Sequence, residues 1–125
     1  MFTRVKDHPR YFMEVNKETN EFFCCVNGTY TEQDALDSIT AYNEVVATLD
    51  PQKSTLVIDC NGLDAQTQDL AQLLKGCFEM YKATGFKEVQ LVGSSSMTQL
   101  SQMKRLAKEA DFSIKFIKSF DRNQA

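Results

Sequence analysis

Ser54-Thr55-Leu56-Val57-Ile58-Asp59 is a continuous apolar run that ends in an acid. A strand that is apolar at successive positions is buried on both faces, which is typical of the centre of a parallel sheet. Parallel neighbours need long crossover connections, which are usually helices. The run therefore predicts an α/β domain in which helices precede and follow a central strand.

Amphipathic helices are predicted on both sides of this strand. The first begins after the N-cap residue Thr31 and stops at Asp50-Pro51, because proline disfavours helical geometry in the residue before it. The second has the clearest helical spacing in the chain and ends before Gly85. Its apolar stripe is Leu70, Leu73, Leu74, Cys77, Phe78 and Tyr81. A third helix follows, with Ser96 and Gln99 at capping-box spacing.

The remaining apolar segments predict strands. Tyr11–Val15 and Glu21–Val26 are joined by a short polar segment and are predicted to form a hairpin. Two later strands are Glu88–Val92 and Phe112–Ile117. The order is β-β-α-β-α-β-α-β, a single α/β domain with a mixed, mostly parallel sheet and three helices. We place the domain at residues 11–118, after an arm at 1–10 that is either frayed or an extra edge strand, and before a polar tail at 119–125.

Composition excludes several functional classes. The chain has 125 residues, of which 42% are hydrophobic and 25% charged, with a net charge of −3. The absence of a long basic run argues against nucleic-acid binding. No apolar stretch approaches the ~20 residues of a membrane span, and the N-terminus carries no signal-peptide pattern. The four cysteines lack the paired spacing of a zinc site and are expected to be buried, reduced thiols in a cytoplasmic protein. We expect no metal and no cofactor.

Candidate sites are few. Asp59 should lie at the carboxyl end of its strand, where open α/β sheets bind ligands. The alternative is that it accepts hydrogen bonds from backbone amides of the turn or caps the helix that follows. Ser94, Ser95 and Ser96 lie between a strand and a helix, where an anion can bind, or where Ser96 merely caps the helix. The only histidine, His8, lies in the arm, so no serine or cysteine has an obvious base. The sequence therefore does not predict an enzyme.

The chain resembles the STAS superfamily, which comprises the anti-sigma-factor antagonist domains and their SpoIIAA-like relatives. The resemblance covers Tyr11 to Lys118 and is carried by the element order and three segments. These segments are Gly28–Asp34 before the first helix, Leu56–Leu63 as the strand-and-loop signature, and Lys87–Gly93 before the last helix.

The resemblance implies a non-enzymatic module that binds a regulatory protein, such as an anti-sigma factor, and it leaves a homodimer open. It implies contacts by Tyr30, Asp59, Asn61, Asp64, Gln66, Thr67 and Gln68. Anti-sigma-factor antagonists usually carry a phosphorylated serine at the start of the second helix. The corresponding stretch here, Ala65–Leu70, has no serine, and Thr67 is its only hydroxyl. We therefore expect a binding surface without the serine phosphoswitch. The alternative is a SpoIIAA-like domain that binds a small ligand or a lipid in a pocket between helices and sheet.

Overall fold

The computed structural model describes residues 1–63, 68–93 and 97–121. In this part of the chain the strands are Thr3–His8 (β1), Tyr11–Asn16 (β2), Glu21–Gly28 (β3), Thr55–Leu63 (β4), Glu88–Val92 (β5) and Lys115–Ile117 (β6). The helices are Glu32–Val46 (α1), Gln68–Thr84 (α2) and Met97–Glu109 (α3), and a 3-10 turn covers Pro51–Lys53. The predicted α/β class is confirmed. Of the two alternatives for residues 1–10, the structure has the edge strand.

The described strands form one sheet in chain order, β1-β2-β3-β4-β5-β6. The pairs β1–β2 and β2–β3 are antiparallel. The pairs β3–β4, β4–β5 and β5–β6 are parallel. The mixed, mostly parallel sheet is therefore confirmed, and each parallel step is made by a helical connection.

An asparagine side chain closes the hairpin between β2 and β3. Asn16 is only 1% exposed, and its Oδ1 accepts hydrogen bonds from the amides of Glu18 (3.0 Å) and Thr19 (3.3 Å). The turn ends at Asn20, whose φ of 57° is a left-handed conformation that asparagine tolerates better than most residues. The buried side chain thus satisfies backbone donors that the short turn would leave unpaired.

All three described helices pack on the same face of the sheet. The main core cluster joins strand residues such as Phe22, Leu56 and Leu91 to buried helix residues. The helix residues include Ala41, Tyr42 and Val45 of α1, Phe78 of α2, and Met103, Leu106 and Ala107 of α3. Among the described side chains of the predicted α2 stripe, Cys77 and Phe78 are buried, and Leu74 and Tyr81 are partly buried. The side chains of Leu70 and Leu73 lie outside the described part of the chain.

The opposite face of the sheet is covered without helices. Phe23, Val57 and Val92 are 2%, 0% and 2% exposed there, yet no helix residue belongs to this cluster as far as the structure describes it. The rings of Phe2 and Phe120, from the two ends of the chain, lie 6.4 Å and 5.7 Å from the Phe23 ring and 6.1 Å from each other. The central strand is buried on both faces as predicted, but terminal aromatic residues supply the second cover.

An arginine of β1 extends this cover towards the edge of the sheet. The Arg4 guanidinium lies 3.9 Å from the centre of the Phe12 ring. Its Nε and one terminal nitrogen donate to Glu14 Oε2 at 3.2 Å and 3.1 Å. Glu14 is 9% exposed, so this two-point contact balances a buried carboxylate. The helix-free face therefore carries a charge pair as well as phenylalanines.

Candidate interaction site

The predicted strand end at Asp59 is wrong, because β4 continues to Leu63. Asp59 pairs with Cys25, and the next pair along the two strands is Asn27 with Gly62, so one extra residue of β4 is accommodated as a bulge. Asp59 Oδ1 accepts a hydrogen bond from the Asn61 amide at 2.9 Å within this bulge. Asp59 thus accepts a hydrogen bond from a nearby backbone amide, as its alternative role required, and its predicted contact with a partner stays a prediction.

Asp59 also faces away from the helices. Leu56, Ile58 and Cys60 belong to the helix-covered core, and Val57 belongs to the opposite cluster. Because side chains alternate along a strand, Asp59 lies on the helix-free face with Val57. Asn61 and Gly62 near the end of β4 are exposed, and of these two Asn61 belongs to the predicted contact set.

The ends of β3 and β4 lie unusually close together. A Cβ atom at Gly62 would overlap Asn27 Oδ1, so only glycine fits at this position without a shift of the asparagine. The Asn27 amide in turn donates to the Arg10 carbonyl at 2.8 Å. Gly28 has a φ of 72°, a left-handed conformation that suits glycine, and its neighbour is the Arg10 side chain. These contacts hold the strand ends in a defined arrangement.

The start of α1 follows directly from these strand ends. Thr31 is its N-cap, as predicted: Thr31 Oγ1 accepts from the Asp34 amide at 3.1 Å, and the Thr31 amide donates to Asp34 Oδ2 at 3.0 Å. This reciprocal pair is a capping box. The hydrogen bond from the Thr31 amide lowers the pKa of the Asp34 carboxyl below its usual value. The first turn of α1 is thereby fixed beside the ends of β3 and β4.

Tyr30 is placed in the core, which corrects the expectation that it contacts a partner. The residue is 9% exposed and belongs to the helix-side cluster. Burial raises the pKa of its phenol far above the usual value. Its hydroxyl has no hydrogen-bond partner among the described residues. Burying the large apolar ring of Tyr30 in the core is more favourable in free energy than exposing it to water.

Several predicted residues cannot be placed. Asp64, Gln66 and Thr67 lie outside the described residues, as does the side chain of Gln68. Ser94, Ser95 and Ser96 also lie outside them. Their predicted roles in partner binding and anion binding therefore stay predictions.

One surface residue that sequence reasoning missed is Leu36. It is 52% exposed, next to the capping box on the first turns of α1. The sequence carried the signal, because Leu36 falls off the stripe formed by Ala35, Ile39 and Tyr42. We call the exposed group Thr31–Gln33, Leu36, Asn61 and Gly62 the edge surface, since all of it lies at the carboxyl ends of β3 and β4. Met97, 75% exposed at the start of α3, follows the end of β5 at this edge of the sheet.

Three of the four thiols are poor candidates for nucleophilic chemistry. Burial raises the pKa of Cys60 to about 12 and that of Cys77 to about 11, and it raises the pKa of Cys24 further. None of the four cysteines forms a disulfide, and Cys25 is the one that is half-buried. A thiol that keeps its proton is a poor nucleophile and a poor metal ligand. No group of three or more His, Cys, Asp or Glu residues that could hold a metal ion occurs within the described ranges.

His8 has a local structural role. Its ring stacks on Tyr11 at 4.3 Å, and its Nδ1 accepts from the Arg10 amide at 3.1 Å. Its Nε2 lies 3.7 Å from Asp37 Oδ2. These contacts join the turn between β1 and β2 to α1.

A small cavity lies between α1, α2 and the sheet in the described part of the chain. A cavity lined by Tyr11, Cys24, Tyr42 and Met80, among others, has a volume of about 30 Å³. This is room for one or two waters and far below the ~300 Å³ at which small-molecule sites begin. The cavity therefore gives no support to a lipid held between α1, α2 and the sheet. In the described part of the chain no helix is both long and apolar enough to cross a membrane.

Known structures resemble this fold, although a scan of family models and a search of curated proteins gave no match. An uncharacterized protein with a SpoIIAA-like fold from Shewanella loihica aligns with a TM-score of 0.59 and 13% identity, covering 95% of this chain and 86% of that one. An anti-sigma factor antagonist from Mycobacterium paratuberculosis aligns with a TM-score of 0.50 and 22% identity, covering 92% and 86%. The chain therefore has the SpoIIAA-like α/β fold.

Proposed function

We propose that this protein is a non-enzymatic module that binds a regulatory protein through its edge surface. The observation that carries the proposal is the structural likeness to an anti-sigma factor antagonist over 92% of the chain. An anti-sigma factor is accordingly the first partner to test. Burial raises the pKa of Cys24, Cys60 and Cys77, which makes these three thiols poor nucleophiles.

The composition of the edge surface suits a protein contact. It combines the exposed apolar side chain of Leu36 with polar side chains at Thr31, Gln33 and Asn61. An apolar centre with a polar rim is the usual anatomy of such contacts. The capping box and the close approach of Gly62 to Asn27 hold these residues in place before a partner arrives. A surface that is already ordered loses little conformational entropy on binding.

The proposed binding is constitutive. Thr67 is the only hydroxyl in the Ala65–Leu70 segment, and the acids Asp64 and Asp69 would repel a phosphate there. A phosphate brings a charge of about −1.5 to −2. Intact-mass analysis of protein from its native host should show no species heavier by one phosphate. Such a species, mapped to Thr67 and lost in Thr67→Ala, would restore the switch.

Site-specific photo-crosslinking tests the surface. A benzophenone amino acid is placed at Leu36 or at Asn61, and, as a control, at the exposed Gln52 of the 3-10 turn before β4. Purified anti-sigma factors from the native host are offered one at a time. We expect adducts from Leu36 and Asn61 with one of them and none from Gln52.

A substitution makes the same test quantitative, because it changes the measured affinity. Leu36→Asp should weaken binding of the cross-linked partner about ten-fold or more, since removing a central apolar contact typically costs more than ~1 kcal/mol. Gln52→Asp adds the same charge at the opposite edge and should leave affinity unchanged. Equal cross-linking from all three positions, or unchanged affinity in Leu36→Asp, would place the contact elsewhere.

A further inference from the structure

A recess of about 430 Å³ opens at the amino ends of β5 and β6. Its walls are the end of α2, the loop from Gly85 to Lys87, and the turn that follows α3. The volume falls within the ~300–1,000 Å³ that is usual for small-molecule sites. Because β3 to β6 are parallel, their amino ends lie together on one side of the sheet and their carboxyl ends on the other. The recess, at the amino ends, is therefore on the opposite side from the edge surface.

Local backbone contacts define the walls of the recess. The Lys87 amide donates to the carbonyls of both Pro51 (3.1 Å) and Ser54 (3.0 Å), which ties this loop to the start of β4. Each of the two helices that border the recess is followed by a residue with a left-handed backbone conformation. These are Gly85 after α2 (φ 81°) and Asp111 after α3 (φ 51°). Because these contacts fix the walls before binding, little conformational entropy is lost when a ligand enters.

Aromatic rings form the apolar side of the recess. Tyr81, Phe86 and Phe112 line it, and all three are partly buried against the main core. The Tyr81 and Phe112 rings lie 6.4 Å apart, and the Phe86 ring lies 6.3 Å from that of the buried Tyr42. Rings anchored in this way can offer edges or faces to a flat apolar ligand.

The recess is lined by three lysines but only two acidic residues, so one lysine lacks a carboxylate to balance its charge. Lys82 Nζ lies 3.6 Å from Asp111 Oδ2, and Lys115 Nζ lies 3.9 Å from Glu88 Oε1. Lys87 also lines the recess, and none of the described carboxylates forms an ion pair with it.

Lys87 is not one of the lysines that offset the negative carbonyl ends of α2 and α3. The carbonyl ends of α2 and α3 favour cations, and Lys82 and Lys108, in the last turns of these helices, meet that preference. Lys87 is in the loop beyond α2, one residue before β5 begins. It therefore remains as a positive charge beside an aromatic wall.

We propose that this recess binds a small aromatic carboxylate, with its ring against Phe86 and Phe112 and its carboxylate at Lys87. An apolar ligand alone would leave the lysine without a counter-charge, and an inorganic anion would leave the rings unused. The proposal is independent of the protein contact proposed above, because the two sites lie at opposite edges of the sheet.

Titration of the nitrogen-15-labelled full chain with 2-naphthoate tests the proposal. Saturable chemical-shift changes are expected at residues 85–89 and 111–115. The neutral analogue 2-naphthamide should bind about five-fold more weakly, the effect of losing one exposed ion pair of ~1 kcal/mol. Inorganic phosphate should compete poorly, since it cannot use the rings.

Charge variants distinguish a site from general attraction. Lys87→Gln should weaken naphthoate binding about five-fold and leave naphthamide binding unchanged. Lys118→Gln removes an equal charge from an exposed position after β6, at the other edge, and should change neither ligand. Shifts outside the recess, equal affinity for the acid and the amide, or no saturable shift at all would overturn the proposal.

Discussion

At the scale of single residues, Gly62 is the position where packing leaves least choice. A Cβ atom there would overlap Asn27 Oδ1, because β3 and β4 end side by side around a bulge. Gly62→Ala should therefore lower the free energy of unfolding by about 1–3 kcal/mol, the usual cost of overpacking. Urea titration followed by circular dichroism measures the change.

Two variants interpret the Gly62 result. Asn27→Ala removes the colliding atom, so adding Gly62→Ala to it should cost less than Gly62→Ala alone. Gly76→Ala is the matched control: nothing lies within 4 Å of the added Cβ in the middle of α2. Alanine there should stabilise the protein by about 0.5–1 kcal/mol. If both alanines destabilised equally, the collision would not be the cause.

The buried thiols predict a loss of stability at high pH. Burial raises the pKa of Cys60 from its ordinary value of 9.0 to about 12. The unfolded chain therefore loses this proton first, so the stabilisation is complete below pH 9 and is lost as pH rises towards 12. Each such thiol lowers the free energy of unfolding by up to ~1.4 kcal/mol per pH unit in that window.

The thiol effect can be isolated by a substitution. Urea titrations at pH 8, 9 and 10 should show a shallower decline for Cys60→Ala than for the unsubstituted protein. The quantity compared is the slope of the free energy of unfolding against pH. The cavity that Cys60→Ala creates lowers this free energy equally at each pH and so leaves the slope unchanged. Identical slopes would mean that Cys60 does not stay protonated on folding.

At the scale of elements, the start of α1 depends on one threonine. Thr31 Oγ1 accepts the Asp34 amide, which is otherwise an unpaired donor of the first turn. Thr31→Ala should destabilise the protein by about 1 kcal/mol, whereas Thr31→Ser should keep most of the cap. Thermal unfolding of the two variants side by side gives the comparison, and equal losses would show that the hydroxyl is not the capping group.

The face that α2 buries determines which of its residues matter. Phe78 is 3% exposed, so Phe78→Ala should cost about 3–5 kcal/mol. Leu74 lies on the sequence stripe but is only partly buried, and Leu74→Ala should cost less than ~2 kcal/mol. Leu36→Ala on the exposed side of α1 should change stability little. Chemical denaturation that ranked Leu74 above Phe78 would mean that α2 is rotated from the orientation described.

At the scale of the whole molecule, the chain ends close the helix-free face of the sheet. Phe2 and Phe120 contact each other and Phe23, so each helps to position the other. Phe2→Ala and Phe120→Ala should therefore be non-additive, with a coupling of about 0.5–3 kcal/mol. A double-mutant cycle in urea measures it, and additivity within ~0.3 kcal/mol would show that the two rings act separately.

Local patterns in the sequence were sufficient to identify most elements. The apolar run at residues 54–59 and the cap at Thr31 act within a few residues of themselves, and the structure has both. The predicted stop of the first helix at Asp50-Pro51 is wrong, because α1 already ends at Val46 and Pro51 begins a 3-10 turn. The end of β4 was placed too early, because Asn61-Gly62 is typical of a turn. The strand continues because its neighbour β3 offers hydrogen bonds as far as Gly28, which is information from another part of the chain.

The candidate site was less predictable than the fold for the same reason. Asn61 is exposed as expected, whereas Tyr30 turns into the core because the space between β3, α1 and the sheet accepts its ring. No local pattern indicates whether an aromatic residue in a loop faces inwards, since burial depends on what the folded chain places beside it.

The sequence by itself determined the α/β class, the start of α1, the end of α2 and the double burial of the central strand, because periodicity and capping are local. Only the tertiary structure decided that all helices share one face, that Phe2 and Phe120 close the other, and that a recess opens at the amino ends of β5 and β6. These features join residues that are far apart in the chain. Their energies come from area removed from water and from ring contacts, which exist only once the sheet has brought those residues together.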